Sequence, residues 1–214
     1  MKTIIFDLDG TLIDSLPDIL DNANKTLTAF GKPQIDLKTI KNYVNDGAVW
    51  LIKCLFGLDI TEQELNERLA VYTEFYKNSK NDLTKVYDGI DFVLKELKKK
   101  GYKIAILSNK IHQAVKPIYK KYFEKYQFDA YQGIENGMKP KPDTSGLENL
   151  INTLGVKKEE VYLIGDGEPD VLTALNYGVK GISVLWGYRD KEQLKKVGAS
   201  TFCTNPIDLL DIIN

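Results

Sequence analysis

Short runs of apolar residues recur along the chain, and each ends abruptly in glycine or polar residues. They occupy residues 3–6, 103–107, 161–164 and 181–185. The first run shows no alternation of polar and apolar positions, as expected of a strand buried on both faces. Apolar residues at helical spacing, such as Leu147, Leu150, Ile151 and Leu154, separate these runs. Strands that alternate with helices predict βαβ units, and therefore a parallel sheet in an α/β fold.

Residues 15–81 follow a different pattern. Leu16, Ile19, Ala23 and Leu27 fall on one helical face, and residues 61–64 have the composition of a capping box at a helix start. No strand is indicated in this segment. We therefore predict two domains: an α/β core formed by residues 1–14 and 82–214, and a small helical domain formed by residues 15–81 and inserted after the first strand.

The overall charge excludes one class of partner. The chain has 29 Lys and Arg against 30 Asp and Glu, a formal net charge of -1. A nucleic-acid-binding protein usually shows a basic excess or stripe, so we expect no nucleic-acid partner. No apolar stretch is long enough for a bilayer, so we expect no membrane partner. Cys54 and Cys203 have neither zinc-site nor disulfide-framework spacing, which favours a reducing compartment, the cytoplasm.

The chain contains a single histidine, His112. A Ser-His-Asp site or a histidine metal cluster would have to use that residue. The chemistry is therefore expected to rest on carboxylates, lysine and backbone amides, with His112 a surface residue near a helix start. Ligands of open parallel sheets bind outside the carboxyl ends of the strands. At or near those ends the sequence places the polar residues Asp7, Asp9, Ser108, Asn109, Lys139, Asp166 and Asp170.

These residues carry a family resemblance that covers nearly the whole chain. The segment Asp7-Leu8-Asp9-Gly10-Thr11 resembles the first motif of the haloacid dehalogenase-like hydrolases. The second motif is matched by Ser108, the third by Lys139-Pro140-Lys141-Pro142, and the fourth by residues 165–170. The helical insert resembles the small cap domain of that superfamily, and residues 7–19 are most similar to the phosphoglycolate phosphatases. The resemblance implies a Rossmann-like parallel-sheet core with a helical cap.

The resemblance also implies a magnesium-dependent phosphatase that acts on a small phosphorylated metabolite. Asp7 would be the nucleophile and would form an aspartyl-phosphate. A Mg²⁺ ion, which prefers oxygen ligands, would be held by Asp7, Asp166 and the backbone carbonyl of Asp9, with Asp170 in support. The side chain of Asp9 could protonate the leaving oxygen and then activate water. Without the other motifs, Asp7 and Asp9 could equally form a plain turn after a strand.

The substrate phosphate would be bound by residues of the same loops. They are Gly10, Thr11, Ser108, Asn109 and Lys139. Lys141 is a rival for Lys139, because both lysines precede a proline; the family pattern favours Lys139. Thr11 could instead bond locally to the backbone, and Ser108 could cap the helix near Ile111. Position 167 departs from the pattern, since it is Gly where many relatives carry a small hydroxyl residue, which puts one hydrogen bond to the site in doubt.

Cap residues would select the substrate. The candidates are the loop 45–47 and the lysines Lys41 and Lys53, which could bind a carboxylate such as that of phosphoglycolate. A phosphomutase similar to beta-phosphoglucomutase would need the same acids and is the nearest alternative. A catalytically silent phosphate-binding regulatory protein is a second one. Pyrophosphate, nucleotide monophosphates and sugar phosphates stay open as substrates, and the protein could be a monomer or a homodimer.

Overall fold

A parallel sheet of six strands forms the centre of the fold. The computed structural model describes residues 1–135 and 137–213. The strands are β1 (Thr3–Phe6), β2 (Ile13–Asp14), β3 (Lys85–Val86), β4 (Lys103–Ile111), β5 (Ala130–Ile134), β6 (Val161–Gly165), β7 (Lys180–Val184) and β8 (Phe202–Cys203). The helices are α1 (Leu16–Ala29), α2 (Leu37–Lys41), α3 (Ala48–Phe56), α4 (Glu62–Lys77), α5 (Ile90–Lys99), α6 (His112–Ile118), α7 (Ser145–Leu154), α8 (Glu168–Tyr177), α9 (Lys191–Lys196) and α10 (Leu209–Ile212).

The strand order places β1 between β4 and β6. The full order is β5-β4-β1-β6-β7-β8, and every pair is parallel. Phe6 at the end of β1 lies opposite Ile106 of β4 and Ile164 of β6, so the loops after these three strands leave the sheet side by side. The predicted α/β fold class is therefore confirmed. The four predicted strands correspond to β1, β4, β6 and β7, whereas β5 and β8 were not predicted.

The sheet is apolar on both faces because helices cover both. Ile4 and Phe6 belong to one core cluster, while Ile5, between them, belongs to the other. This is the period-two alternation of a strand. The first cluster includes apolar residues of α5 and α6, and the second includes those of α7 and Ala174 of α8. Burial on both sides explains why β1 has no alternation of polar and apolar positions and no charged residue.

Helices α1–α4, which we call the helical segment, have a hydrophobic cluster of their own. It contains Leu16, Ile40, Ile52 and Tyr72 among others. The chain enters and leaves this segment through β2 and β3, which pair antiparallel with Ile13 opposite Val86. Helix α4 begins with the predicted capping box, since Thr61 and Glu64 bond reciprocally. Among the described residues, no helix combines the length and apolar character that crossing a lipid bilayer demands.

Candidate active site

Three buried carboxylates meet at the carboxyl end of the sheet. Asp7 follows β1, Asp166 follows β6, and Asp170 lies in the first turn of α8. Oxygen atoms of the three carboxylates all lie within 4.8 Å of one another, and each residue is at most 6% exposed. The backbone N–H of Asp7 donates to the carbonyl of Ile164 at 2.8 Å, which continues the ladder beyond β1 and fixes the position of Asp7. The structure thus brings together three of the acids that were predicted to bind metal.

The negative charge of this triad is only partly compensated. Burial raises the pKa of Asp7 well above its ordinary value, and Asp170 and Asp166 add to this rise, while Lys141 opposes it. Burial, together with the charge of Asp170, raises the pKa of Asp166 to about 7. Three carboxylates thus face one lysine. Closely spaced, buried carboxylate oxygens with excess negative charge are the donor set of a hard divalent cation, and these residues therefore fit a magnesium ion.

The lysine in the site is Lys141, and the prediction of Lys139 was wrong. The ammonium group of Lys141 donates to Asp7 Oδ1 at 2.7 Å, to Asp170 Oδ1 at 2.5 Å and to the carbonyl of Leu107 at 3.1 Å. Lys141 is 5% exposed, whereas Lys139 lies exposed on the surface. Although burial disfavours its charged form, the two carboxylates raise the pKa of Lys141 above its ordinary value. The ammonium group therefore stays charged.

The side chain of Asn109 holds the backbone of Lys141 in place. The Asn109 side chain accepts a hydrogen bond from Lys141 N at 2.7 Å and donates one to Lys141 O at 3.1 Å. Its second amide hydrogen donates to the carbonyl of Asn45 at 2.9 Å. Both amide hydrogens are thus engaged with backbone oxygens. The side chain of Asn109 therefore positions Lys141 and the loop at Asn45, and binding of phosphate by Asn109 stays a prediction.

Asp9 is held by a lysine that was not among the predicted site residues. Lys110 donates to both carboxylate oxygens of Asp9, at 2.8 and 2.9 Å, and the hydroxyl of Ser15 also donates to Asp9. The ammonium group of Lys110 lies 4.7 Å from the ring centroid of Tyr76 in α4. Lys110 thus connects the core with the helical segment. Its position directly after Ser108 and Asn109 on the same strand end was the available signal.

Gly10 and Thr11 contact a carboxylate of the triad. The hydroxyl of Thr11 donates to Asp166 Oδ1 at 3.2 Å and Thr11 is fully buried, so the side chain orients Asp166, and a contact of Thr11 with phosphate stays a prediction. Gly10 has a positive φ of 87°, and a Cβ there would lie 2.4 Å from Asp166 Oδ2. Glycine is therefore required at position 10 for the close approach of Asp166.

The other carboxylate oxygen of Asp166 accepts two hydrogen bonds. The backbone N–H of Tyr188 donates to Asp166 Oδ2 at 2.7 Å, and the side-chain amide of Asn45 donates to it at 3.4 Å. A Cβ at position 167 would lie 2.5 Å from Asn45 Nδ2. The glycine that departs from the family pattern thus leaves the space that the Asn45 side chain fills.

Ser108 is placed as predicted, at the end of the apolar part of β4. It is 2% exposed, and its hydroxyl accepts a hydrogen bond from the backbone N–H of Lys110 at 3.1 Å. Because β4 continues to Ile111, Ser108 does not cap the following helix. Its role toward phosphate stays a prediction.

A cleft of about 750 Å³, partly open to solvent, lies between the sheet end and the helical segment. Asp7, Asp9, Ser108 and Lys110 line its floor. Of the predicted cap candidates, Asn45 and Gly47 line it, whereas its described lining includes neither Asp46 nor the two lysines at positions 41 and 53. His112 lies outside this lining, where it stacks on Tyr131 and accepts a hydrogen bond from Gly133 N.

Arg189 fastens the core to the helical segment on the other side of the site. It bonds to Glu168 at 2.8 Å, and its guanidinium also donates to the carbonyls of Lys41 at 2.8 Å and Val44 at 2.9 Å. Only 7% of Arg189 is exposed. Planar, multidentate donation of this kind is specific to arginine.

A parallel α/β sheet with an acid triad and a lysine at its carboxyl end defines a class of hydrolases, and the comparison with known proteins agrees. The model of the haloacid dehalogenase-like hydrolase family matches residues 4–184, and the chain belongs to this family. The chain is 30% identical over 214 residues to phosphoglycolate phosphatase 1 of Pseudomonas aeruginosa, in a match that covers 98% of this chain and 78% of that protein.

Two solved structures resemble the whole fold. One is a protein of Lactobacillus delbrueckii subsp. bulgaricus, provisionally assigned as a phosphoglycolate phosphatase, with 28% identity and a TM-score of 0.92 over 99% of this chain and 98% of the other. The second is a predicted phosphatase from Clostridium acetobutylicum, with 26% identity and a TM-score of 0.89 over 99% and 97% of the chains. The predictions of the family and of an enzyme of the phosphatase class are confirmed.

Proposed function

We propose that the protein is a magnesium-dependent phosphomonoester hydrolase that acts on a small phosphorylated metabolite through an aspartyl-phosphate on Asp7. The observation that carries the proposal is the buried triad of Asp7, Asp166 and Asp170 around Lys141, at the floor of a cleft that Asp9 also lines. An anionic nucleophile needs cationic help against a phosphate dianion, and this arrangement supplies a fixed lysine and a metal-binding donor set.

The first half of the reaction uses Asp7 and Asp9. An oxygen of Asp7 attacks phosphorus, the bond from phosphorus to the leaving alcohol oxygen breaks, and Asp9 gives that oxygen its proton. In the second half Asp9 takes a proton from water, which attacks the aspartyl-phosphate and releases inorganic phosphate. Lys141 offsets the negative charge of the phosphoryl oxygens, and the Ser108 hydroxyl binds and orients them. Bound magnesium, held by Asp7, Asp166 and the carbonyl of Asp9 with Asp170 in support, would reduce the repulsion between nucleophile and phosphate.

Residues 15–81 are proposed to be a cap domain, with residues 1–14 and 82–214 as the catalytic core. The support is the separate hydrophobic cluster of the helical segment and the pairing of β2 with β3 at its two ends. Closure of a cap excludes water from the cleft during reaction. The cytoplasm is the proposed compartment, since Cys54 and Cys203 are free thiols.

The direct test is release of inorganic phosphate from a panel of phosphomonoesters, with phosphoglycolate, the compound named by the relatives, among them. Turnover is expected with magnesium and not after chelation with EDTA. Turnover that is unaffected by chelation would contradict the magnesium dependence, and a panel without any turnover would contradict the phosphatase proposal.

The Asp9→Asn variant should affect esters according to their leaving group. The amide that replaces the carboxyl group cannot act as an acid, so an alkyl phosphate should lose roughly 10²–10⁴ in kcat. Hydrolysis of 4-nitrophenyl phosphate should lose much less in its first step, because nitrophenolate leaves without a proton. Single-turnover release of the alcohol separates this step from the second. The exposed Asp21→Asn variant is the control, and equal losses for the two esters would exclude Asp9 as the acid.

The metal-free protein should become less stable as the pH rises from about 4 to about 8. An unfolded aspartic acid has a pKa of about 3.9, whereas the pKa of folded Asp166 is about 7 and that of Asp7 is also raised. Between these values the folded state holds more protons than the unfolded state, so the free energy of unfolding falls with rising pH. Magnesium should restore stability most at the upper end of this range. Urea unfolding with EDTA or with magnesium measures both effects; stability that rises across the range without metal would refute the expectation.

A further inference from the structure

Above the catalytic floor, the cleft has an apolar wall. The helical segment contributes the apolar residues Ile19, Val44, Ala48, Leu51, Tyr72 and Tyr76 to this wall, and Thr73 and Lys77 also line the cleft. The core side adds Ile111 and Ala114. Because this part of the cleft is continuous with Asp7 and Asp9, it is where the alcohol portion of a phosphomonoester must lie once its phosphate is at the floor.

The charged groups of the described lining belong to the catalytic floor, are bonded to a group of that floor, or are exposed to solvent. Asp7 and Asp9 belong to the floor, and Lys110 is bonded to both oxygens of Asp9. Lys77, in the last turn of α4, is exposed to solvent. A carboxylate on the leaving group would therefore meet, among the described lining residues, one buried cation that is already paired with Asp9 and one solvent-exposed lysine, and burying it without a cation of its own is costly.

Tyr76 gives a second, independent indication of a ligand. Its hydroxyl is buried and has no hydrogen-bond partner among the described residues, and the residue is only 7% exposed. A buried polar atom without a partner costs free energy unless something else satisfies it. Tyr76 is part of the cleft lining, and a water molecule or a polar atom of a bound ligand would satisfy its hydroxyl. The neighbouring ring of Tyr72, 5.8 Å away between centroids, extends the aromatic surface.

We infer that the natural leaving group is an uncharged alcohol with an apolar or aromatic body, larger than glycolate. The inference rests on the proposed phosphomonoesterase activity and specifies its substrate class. The apolar wall packs against the apolar part of this alcohol and excludes water from it. The preference over a small or anionic alcohol then follows from the larger apolar area of the substrate that is removed from water.

The test uses three esters of primary alcohols with the full-length protein and magnesium. Ethyl phosphate is the small uncharged reference, phosphoglycolate carries a carboxylate, and 2-phenylethyl phosphate carries an aromatic ring. The expected order of kcat/KM is 2-phenylethyl phosphate first, by at least about 10-fold over ethyl phosphate, with phosphoglycolate no better than ethyl phosphate.

A pair of variants on α3 locates the effect in the cleft. Ala48→Leu places a larger side chain in the cleft. It should lower kcat/KM for 2-phenylethyl phosphate at least about 10-fold more than for ethyl phosphate. Val49→Leu adds one carbon at the next position, which is 47% exposed and outside the lining, and should change neither. Equal losses for both esters in Ala48→Leu would overturn the inference.

The inference would also be overturned if kcat/KM were highest for phosphoglycolate and this preference were lost in Lys77→Met. Lys77 would then be the ligand of the carboxylate. Binding to the Asp7→Asn variant, measured by calorimetry with magnesium, separates the two proposals. If no ester is turned over by the wild type but the affinity order is as expected, the phosphatase proposal fails while the leaving-group pocket stands. A reversed affinity order overturns the pocket whatever the turnover.

Discussion

The Asp7→Asn variant is expected to fold and to lose phosphate-releasing activity by on the order of 10⁵-fold or more, the scale seen when a covalent nucleophile is removed. The amide has the shape of the carboxylate and can still accept the hydrogen bond from Lys141, now 2.7 Å from Asp7. It is a poor nucleophile and cannot form the acyl phosphate. Since burial and neighbouring carboxylates disfavour the charge of Asp7, its removal should not lower the unfolding midpoint of the metal-free protein.

Phosphate release in the presence of magnesium measures the activity, and circular dichroism with thermal unfolding checks the fold. Asp21→Asn, at an exposed aspartate on α1, is the matched control for the same chemical change. Activity within about tenfold of the wild type in a purified, folded Asp7→Asn protein would remove Asp7 from the role of nucleophile.

Lys141→Met and Lys139→Met should behave differently although the residues are two positions apart. Removing the Lys141 ammonium leaves Asp7 and Asp170 without their shared cation inside the protein. Breaking a buried ion pair from one side typically costs about 3–5 kcal/mol, so we expect a clear loss of stability without metal. The loss of a fixed cation beside the phosphoryl group should lower kcat by about 10²–10³ with magnesium present.

The companion variant decides between the two lysines of the motif. Lys139 is exposed, and its replacement should leave both kcat and the free energy of unfolding near the wild-type values. Urea unfolding and steady-state kinetics on the two proteins, purified in parallel, make the comparison. The reverse result, with Lys139→Met inactive and Lys141→Met active, would contradict the placement of Lys141 in the site.

The lysine pair shows where prediction from the sequence ends. Both lysines stand before a proline in one short stretch, so local pattern does not separate them. The side chain of Asn109, from a different strand, holds the backbone of Lys141 and thereby determines which ammonium group reaches the acids. The acids themselves could be predicted because Asp7 and Asp166 directly follow buried apolar strands and Asp170 lies at the start of the helix after β6. Their convergence follows from the parallel order of β4, β1 and β6.

The other differences also have tertiary causes. Strand β5 was not predicted because Gln132 and Gly133 interrupt its apolar pattern; Gly133 is needed there because a Cβ would lie 2.4 Å from the carbonyl of Lys110. Lys41 and Lys53 were reasonable ligands for a carboxylate, yet the helices of the segment turn apolar and aromatic faces to the cleft. The packing between helices decides which face of each helix lines the cleft and which face packs into the hydrophobic cluster of the segment.

Gly167 joins metal chemistry to the position of the helical segment. The space that it leaves admits the Asn45 amide, which donates to a carboxylate of the proposed magnesium site. Asp166 would thus take part in a loop contact and in holding a cation at the same time. If bound magnesium favours the position of the loop against the core by some factor, then this position of the loop must raise the affinity for magnesium by the same factor. Substrate that holds the loop against the core would in this way also set how tightly the enzyme retains its ion.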